Sequence, residues 1–300
     1  MKITIVGLGK MGSQIAERLV KSGHSVVAVD PSLAAIKAAE AFGAGSADSR
    51  QDVAEKFADE PVAVWLMIPA QFVSAEVEAW LEVLPEGSLL IDGGNTDFRE
   101  TRRHAELCGA KGVNFVDVGV SGGVLGAQAG FSMMVGGDQA GYERIKPILE
   151  ALAQPSGGYD YFGSAGAGHY VKMVHNAVEY GMMEALAEGY QILKEGPYDN
   201  LDLAKAGAVW QKASVIESTL NQLVAEVMVE NPSQDGVSGY VAESGEARWT
   251  LEVAKETGIE LPVIKTALGV RIRSGQGEVS YATKVLASLR NKFGGHKINK

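Results

Sequence analysis

The sequence predicts an α/β N-terminal domain built on a doubly wound sheet, followed by an all-α C-terminal domain. Three observations carry this. From Met1 to about Phe162, short apolar runs alternate with amphipathic stretches. Gly7, Gly9 and Gly12 follow the first apolar run and open the first amphipathic one. After Gly163 the pattern changes to long helical stretches punctuated by Gly and Pro. The boundary is therefore expected near Gly163, giving domains of residues 1–163 and 164–300.

In the first domain, residues 3–6, 25–29, 62–68, 88–91 and 114–118 are short apolar runs, the signature of buried strands. Between them, residues 11–22, 31–41, 73–84 and 99–108 carry apolar positions at helical spacing. Residues 131–135, stopped by Gly136 and Gly137, predict one more strand. Strict alternation of strand and helix predicts parallel pairing. In the second domain, residues 165–194 predict one unbroken helix, terminated by Gly196 and Pro197. Residues 199–229 and 245–274 predict further helices, with 232–239 as a connecting loop.

Composition narrows the function. With 46% hydrophobic and 21% charged residues the chain is globular in character. A net charge of −10, with Lys and Arg scattered, repels phosphate backbones and argues against a nucleic-acid partner. The single cysteine, Cys108, excludes an internal disulfide and a thiolate metal cage. No secretory leader and no apolar run of spanning length is visible, so a cytoplasmic protein without a membrane partner is expected.

The glycine triplet has G-x-G-x-x-G spacing between a strand and a helix. The first glycine permits a tight turn, the second a close approach of pyrophosphate, and the third close packing of helix on strand. Unsatisfied N–H groups at the helix start then attract the phosphates. Asp30 ends the second strand, where a carboxylate accepts hydrogen bonds from the adenosine ribose and repels a 2′-phosphate. The pair points to a Rossmann-type fold binding NAD rather than NADP. Taken singly, each motif is also compatible with an ordinary turn.

On the long predicted helix, Lys172, His175, Asn176 and Glu179 fall at i, i+3, i+4 and i+7, with Tyr180 on the same edge. A polar stripe is ordinarily a solvated face. Here the approach through Gly163, Gly166 and Gly168 and the flanking Val171, Val174, Ala177 and Val178 argue for burial. The stripe also combines proton carriers with hydrogen-bond donors. Asp92 to Asn95 and Val120 to Gly123, each following a strand, offer candidate anion cradles or plain turns. Arg248, Arg271, Arg273 and Arg290 are candidate phosphate ligands or solvated side chains.

Three segments in this order resemble the 6-phosphogluconate dehydrogenases: Ile-Asp-Gly-Gly-Asn-Thr from Ile91, Gly-Val-Ser-Gly-Gly from Gly119, and Gly-Ala-Gly-His-Tyr-Val-Lys-Met-Val-His-Asn-Ala-Val-Glu-Tyr from Gly166. The resemblance implies oxidative decarboxylation of 6-phosphogluconate to ribulose 5-phosphate in the pentose phosphate pathway. It implies Lys172 as general base and Glu179 as general acid. Asn95, Ser121, Gly122, Gly123, His175 and Asn176 would hold the sugar acid, and Tyr180, Arg248, Thr250 and Arg271 its phosphate. The cofactor set becomes Gly7, Leu8, Gly9, Lys10, Met11, Gly12, Asp30, Met67, Pro69 and Asn95. The tail from Arg290 to His296 resembles an element that reaches a neighbouring subunit's site, which implies a homo-oligomer, a dimer or tetramer. No metal is expected.

The chain departs from the longer family pattern in three places. Asp30 stands where NADP-using relatives carry a basic cluster, Arg248 replaces a usual lysine, and the helical domain is much shorter. This resembles the short, NAD-preferring branch. Two alternatives stay open: a non-decarboxylating β-hydroxyacid dehydrogenase, and a non-enzymatic NAD-binding sensor.

Overall fold

The computed structural model describes residues 1–58 and 60–295. The chain divides into two compact units, Met1–Met173 and Val174–Lys300. This division falls ten residues beyond Gly163.

In chain order the first unit contains β1 (Lys2–Val6), α1 (Lys10–Lys21), β2 (Ser25–Val29), α2 (Leu33–Ala41), β3 (Gly45–Ser46), α3 (Arg50–Phe57), β4 (Ala63–Leu66) and α4 (Ala70–Leu81). It continues through β5 (Leu89–Asp92), α5 (Phe98–Ala110), β6 (Asn114–Ser121), a 3-10 turn at Gly123–Leu125, α6 (Gly126–Ala129), β7 (Ser132–Gly137), α7 (Gln139–Ala153) and β8 (Gly158–Tyr161). Among the described residues the eight strands form one sheet in the order β3-β2-β1-β4-β5-β6-β7-β8. The reversal of order after β1 creates the crevice at the strand ends where doubly wound sheets bind ligands.

The strands are apolar on both faces because helices cover both. Ile3, Ile5, Val26, Ala28, Trp65, Leu89 and Ile91 belong to one core cluster. Val27, Val64, Leu66, Leu90 and Phe115 belong to the other. The period of two sorts neighbouring residues of each strand to opposite faces.

The expectation of parallel pairing fails at one place: β7 runs antiparallel to β6, with Gly119 opposite Met134. The reason is local. Only the 3-10 turn and the four-residue α6 separate the two strands, and a parallel crossover needs a dozen or more residues.

α8 (Ala167–Glu195) is a single helix that contributes to both units. The second unit continues with α9 (Leu203–Trp210), α10 (Thr219–Glu230), α11 (Glu246–Thr257), α12 (Pro262–Ser274) and α13 (Tyr281–Gly294). Both long helices expected after α8 are broken in two. Ser218 starts α10 afresh by accepting from Asn221 N. Between α11 and α12, Gly258 takes a left-handed φ of 73° and Pro262 begins the next helix. Met183, Tyr190, Leu223, Val224, Val285 and Leu286 centre the core of this unit.

Candidate active site

The first unit builds a nucleotide cradle from its own backbone. Gly7 has φ 91°, and a Cβ there would lie 2.6 Å from Met67 O. A Cβ on Gly12 would lie 1.9 Å from Gly7 O, so turn and helix can meet only without side chains. Gly9 differs. Its φ is −63°, and a Cβ there would have no atom within 4 Å. It caps α1 without a side-chain hydrogen bond, and the first turn of α1 carries no acidic residue.

Asp30 ties the cradle to β2. Leu8 N donates to Asp30 Oδ2 at 2.6 Å and Ser32 N donates to Oδ1 at 2.8 Å. An ionised carboxylate accepts about four hydrogen bonds, so both oxygens keep capacity for ribose hydroxyls. The uncapped helix start, the glycine turn and this carboxylate fit a dinucleotide. Leu8 is buried, Met11 and Met67 are half-buried, and Lys10 and Pro69 are exposed.

Two loops end nearby strands. After β5, Asp92 closes its turn by accepting from Gly94 N at 3.0 Å and from Thr96 Oγ1 at 2.7 Å, leaving Asn95 exposed. After β6, Gly122 and Gly123 both take positive φ, and Ser121 is half-buried.

The start of α8 is fixed by a residue that no sequence motif singles out. Asp117, fully buried on β6, accepts from Gly166 N at 2.9 Å and from His169 N at 2.8 Å. Thr101 Oγ1 lies 2.8 Å from His169 Nδ1 and pins the same turn to α5. A carboxylate here also faces the positive end of a long helix. Lys172, one turn further on, is 7% exposed. Its stem passes over Gly119, where a Cβ would stand 2.3 Å from Lys172 Cβ.

In the helical unit, Asn176 Nδ2 donates to Glu246 Oε1 at 2.8 Å, and His175 Nδ1 lies 3.0 Å from Asn176 Oδ1 and 3.9 Å from Glu179 Oε2. Glu246 is 2% exposed and was not anticipated from sequence; without its fold it reads as an ordinary first-turn acidic residue. Ser244 N donates to the Tyr180 hydroxyl at 3.1 Å. Arg271 stacks on the Tyr180 ring. Burial lowers the Arg271 guanidinium to about 10, and nearby Arg290 adds to the fall. Burial also lowers Arg290, opposed by Tyr180, Glu179 and Glu246.

Three further expected residues are placed by the structure. Arg248 is half-exposed and paired with Glu243 at 2.8 Å, outside the Arg271 and Tyr180 group. Thr250 is buried, and its hydroxyl donates to Glu246 O at 2.8 Å. Arg290, expected to reach a neighbouring subunit, is buried in α13 among residues of its own chain. His296 lies outside the described residues. No group of three or more His, Cys, Asp or Glu among the described residues could hold a metal ion, and no helix there is long and apolar enough to cross a membrane.

Residues 2–170 match the family model for the NAD binding domain of 6-phosphogluconate dehydrogenase, and residues 168–298 match its C-terminal domain. A relative from Haloferax volcanii, the NAD(+)-dependent decarboxylating 6-phosphogluconate dehydrogenase, is 39% identical across 99% of this chain and 98% of its own length. The Plasmodium falciparum 6-phosphogluconate dehydrogenase structure matches with a TM-score of 0.80 at 29% identity, covering 97% of this chain and 64% of that one. A Mycobacterium tuberculosis 3-hydroxyisobutyrate dehydrogenase structure matches with a TM-score of 0.73 at 25% identity, covering 96% and 99%. With both units matched from end to end, the chain belongs to the 6-phosphogluconate dehydrogenase family of oxidoreductases, and its first unit is an NAD-binding domain.

Proposed function

We propose that the protein oxidises and decarboxylates 6-phospho-D-gluconate to D-ribulose 5-phosphate and CO₂, using NAD. The observation that carries this reading is the pair Arg271 and Arg290, 3% and 7% exposed, with no carboxylate within ion-pair distance among the described residues. Buried cations are kept where a ligand neutralises them. Two guanidinium forks beside a tyrosine hydroxyl suit a phosphate monoester, which a small β-hydroxyacid lacks.

In this mechanism neutral Lys172 takes the proton of the substrate's 3-hydroxyl. Bound NAD supplies the acceptor for the hydride leaving C3. The resulting β-keto acid loses CO₂, with the new carbonyl receiving the electron pair. Protonated Lys172 stabilises the developing enolate oxygen, and Glu179 delivers a proton to C1 of the enediol. One proton is taken and one returned, so the sum is neutral. Asn176, held by Glu246, and His175 orient the sugar acid. Asp30 favours NAD by repelling a 2′-phosphate.

The test is stoichiometric. With 6-phosphogluconate and NAD, NADH and CO₂ should appear in equal amounts. NADH without CO₂, or a higher kcat/KM for 3-hydroxyisobutyrate, would overturn the reading.

A further inference from the structure

The helical unit holds a cavity of about 540 Å³ walled by Glu184, Glu188 and Gln191 of α8, Arg273 of α12, and Glu278 and Ser280 of the turn into α13. No role in the reaction above uses these residues. The volume lies in the range of small-molecule sites, roughly 300–1,000 Å³.

The charges lining it do not cancel. Arg273 is engaged by Glu278, with Nε and carboxylate 3.3 Å apart. Glu184 and Glu188 remain, one turn apart on the same face of α8. Glu184 is 7% exposed, and it has no hydrogen-bond or ion-pair partner among the described residues. A buried carboxylate without a donor is costly, and native proteins seldom retain one without a use.

At the start of α13, where an anionic occupant would seek donors, three backbone N–H groups are taken. Thr283 N donates to Ser280 Oγ at 3.3 Å, Ser280 N donates to Thr283 Oγ1 at 2.9 Å, and Ala282 N donates to Gln191 Oε1 at 3.1 Å. A divalent metal ion is disfavoured because no group of three or more metal-binding side chains is assembled among the described residues.

We propose that this cavity binds a small organic cation, an aliphatic amine or guanidine whose N–H groups donate to Glu184 and Glu188. Glu184 also acts electrostatically on Arg271, so occupancy should be felt at that guanidinium.

Calorimetric titration of the full chain with putrescine and with agmatine, at constant ionic strength and pH 8, tests this. Saturable one-site binding is expected, weakened about tenfold or more in Glu184→Gln and in Glu188→Gln, a loss of about 1.4 kcal/mol. Glu188 is exposed, so its variant should fold normally. Succinate should not bind. Absence of saturable heat with both amines, undiminished affinity in both variants, or equal binding of succinate overturns the proposal. A cavity filled in solution by a basic side chain of a second copy would give the first of these results.

Discussion

The guanidinium carbon of Arg271 lies 3.2 Å from the centroid of the Tyr180 ring. At that distance the cation and the ring face attract each other, and the ring fixes the plane of the guanidinium. Tyr180 is itself held through its hydroxyl by Ser244 N. The cation is therefore oriented before any ligand arrives.

Arg271→Lys keeps the charge but loses the planar fork and the stack. KM for 6-phosphogluconate should rise about tenfold or more while KM for NAD stays within about twofold. Steady-state kinetics with each substrate varied in turn will measure this, and an unchanged sugar-phosphate KM argues against a phosphate ligand at 271.

Lys172 and Glu179 should act at different steps. Lys172→Met should lower NADH and CO₂ formation together, by roughly three orders of magnitude or more. Glu179→Gln should leave the first hydride transfer largely intact and slow protonation of the enediol. Rapid mixing should then show NADH running ahead of ribulose 5-phosphate. Equal loss of the first-turnover hydride step in both folded variants contradicts the division.

Asp30 has two tasks, since its oxygens also hold Leu8 N and Ser32 N. Asp30→Ser combined with Pro31→Arg should shift preference toward NADP. It should also cost about 1 kcal/mol of stability, the usual worth of such backbone hydrogen bonds. Cofactor kinetics and urea unfolding separate the two effects; unaltered selectivity removes the first.

Position 119 tests the seating of Lys172. Gly119→Ala would set a methyl 2.3 Å from Lys172 Cβ. It should lower kcat by about a hundredfold, because small misplacements of a catalytic group are expensive. Nucleotide affinity, read by NADH fluorescence, should be nearly unchanged; wild-type kcat would show that the lysine adapts.

Stability should depend on Glu184 in an acidic window. Burial, reinforced by Glu188, raises its carboxyl from 4.5 to about 7 in the folded protein. Between those values the folded state retains a proton that the unfolded chain releases. Stability from this group is therefore present below the lower value and declines as pH rises toward the upper one. Glu184→Gln should flatten that decline in urea unfolding between pH 5 and 7, and an identical slope in both proteins rejects the assignment.

The glycine turn, Asp30 and the polar stripe were legible because their signals are local: a fixed spacing beside a strand, or a helical period. β3 and β8 were not, being two and four residues long, too short for a period of two to stand out. The breaks at Gly258 and Pro262 carried a readable signal that the apolar period outweighed. Asp117 and Glu246 mark the deeper limit. Their partners, Gly166 and His169 for one and Asn176 for the other, lie far along the chain. Only the fold brings them together.

Of the three motif glycines, two are demanded by the chain and one is not. Side chains at Gly7 or Gly12 would strike backbone, whereas position 9 has an ordinary φ and open space. A library of variants selected for folding alone should retain glycine at 7 and 12 and let 9 drift freely. Selected for turnover, the same library should hold all three. The difference between the two lineages at a single codon would record what the cofactor, and not the polypeptide, requires of this loop.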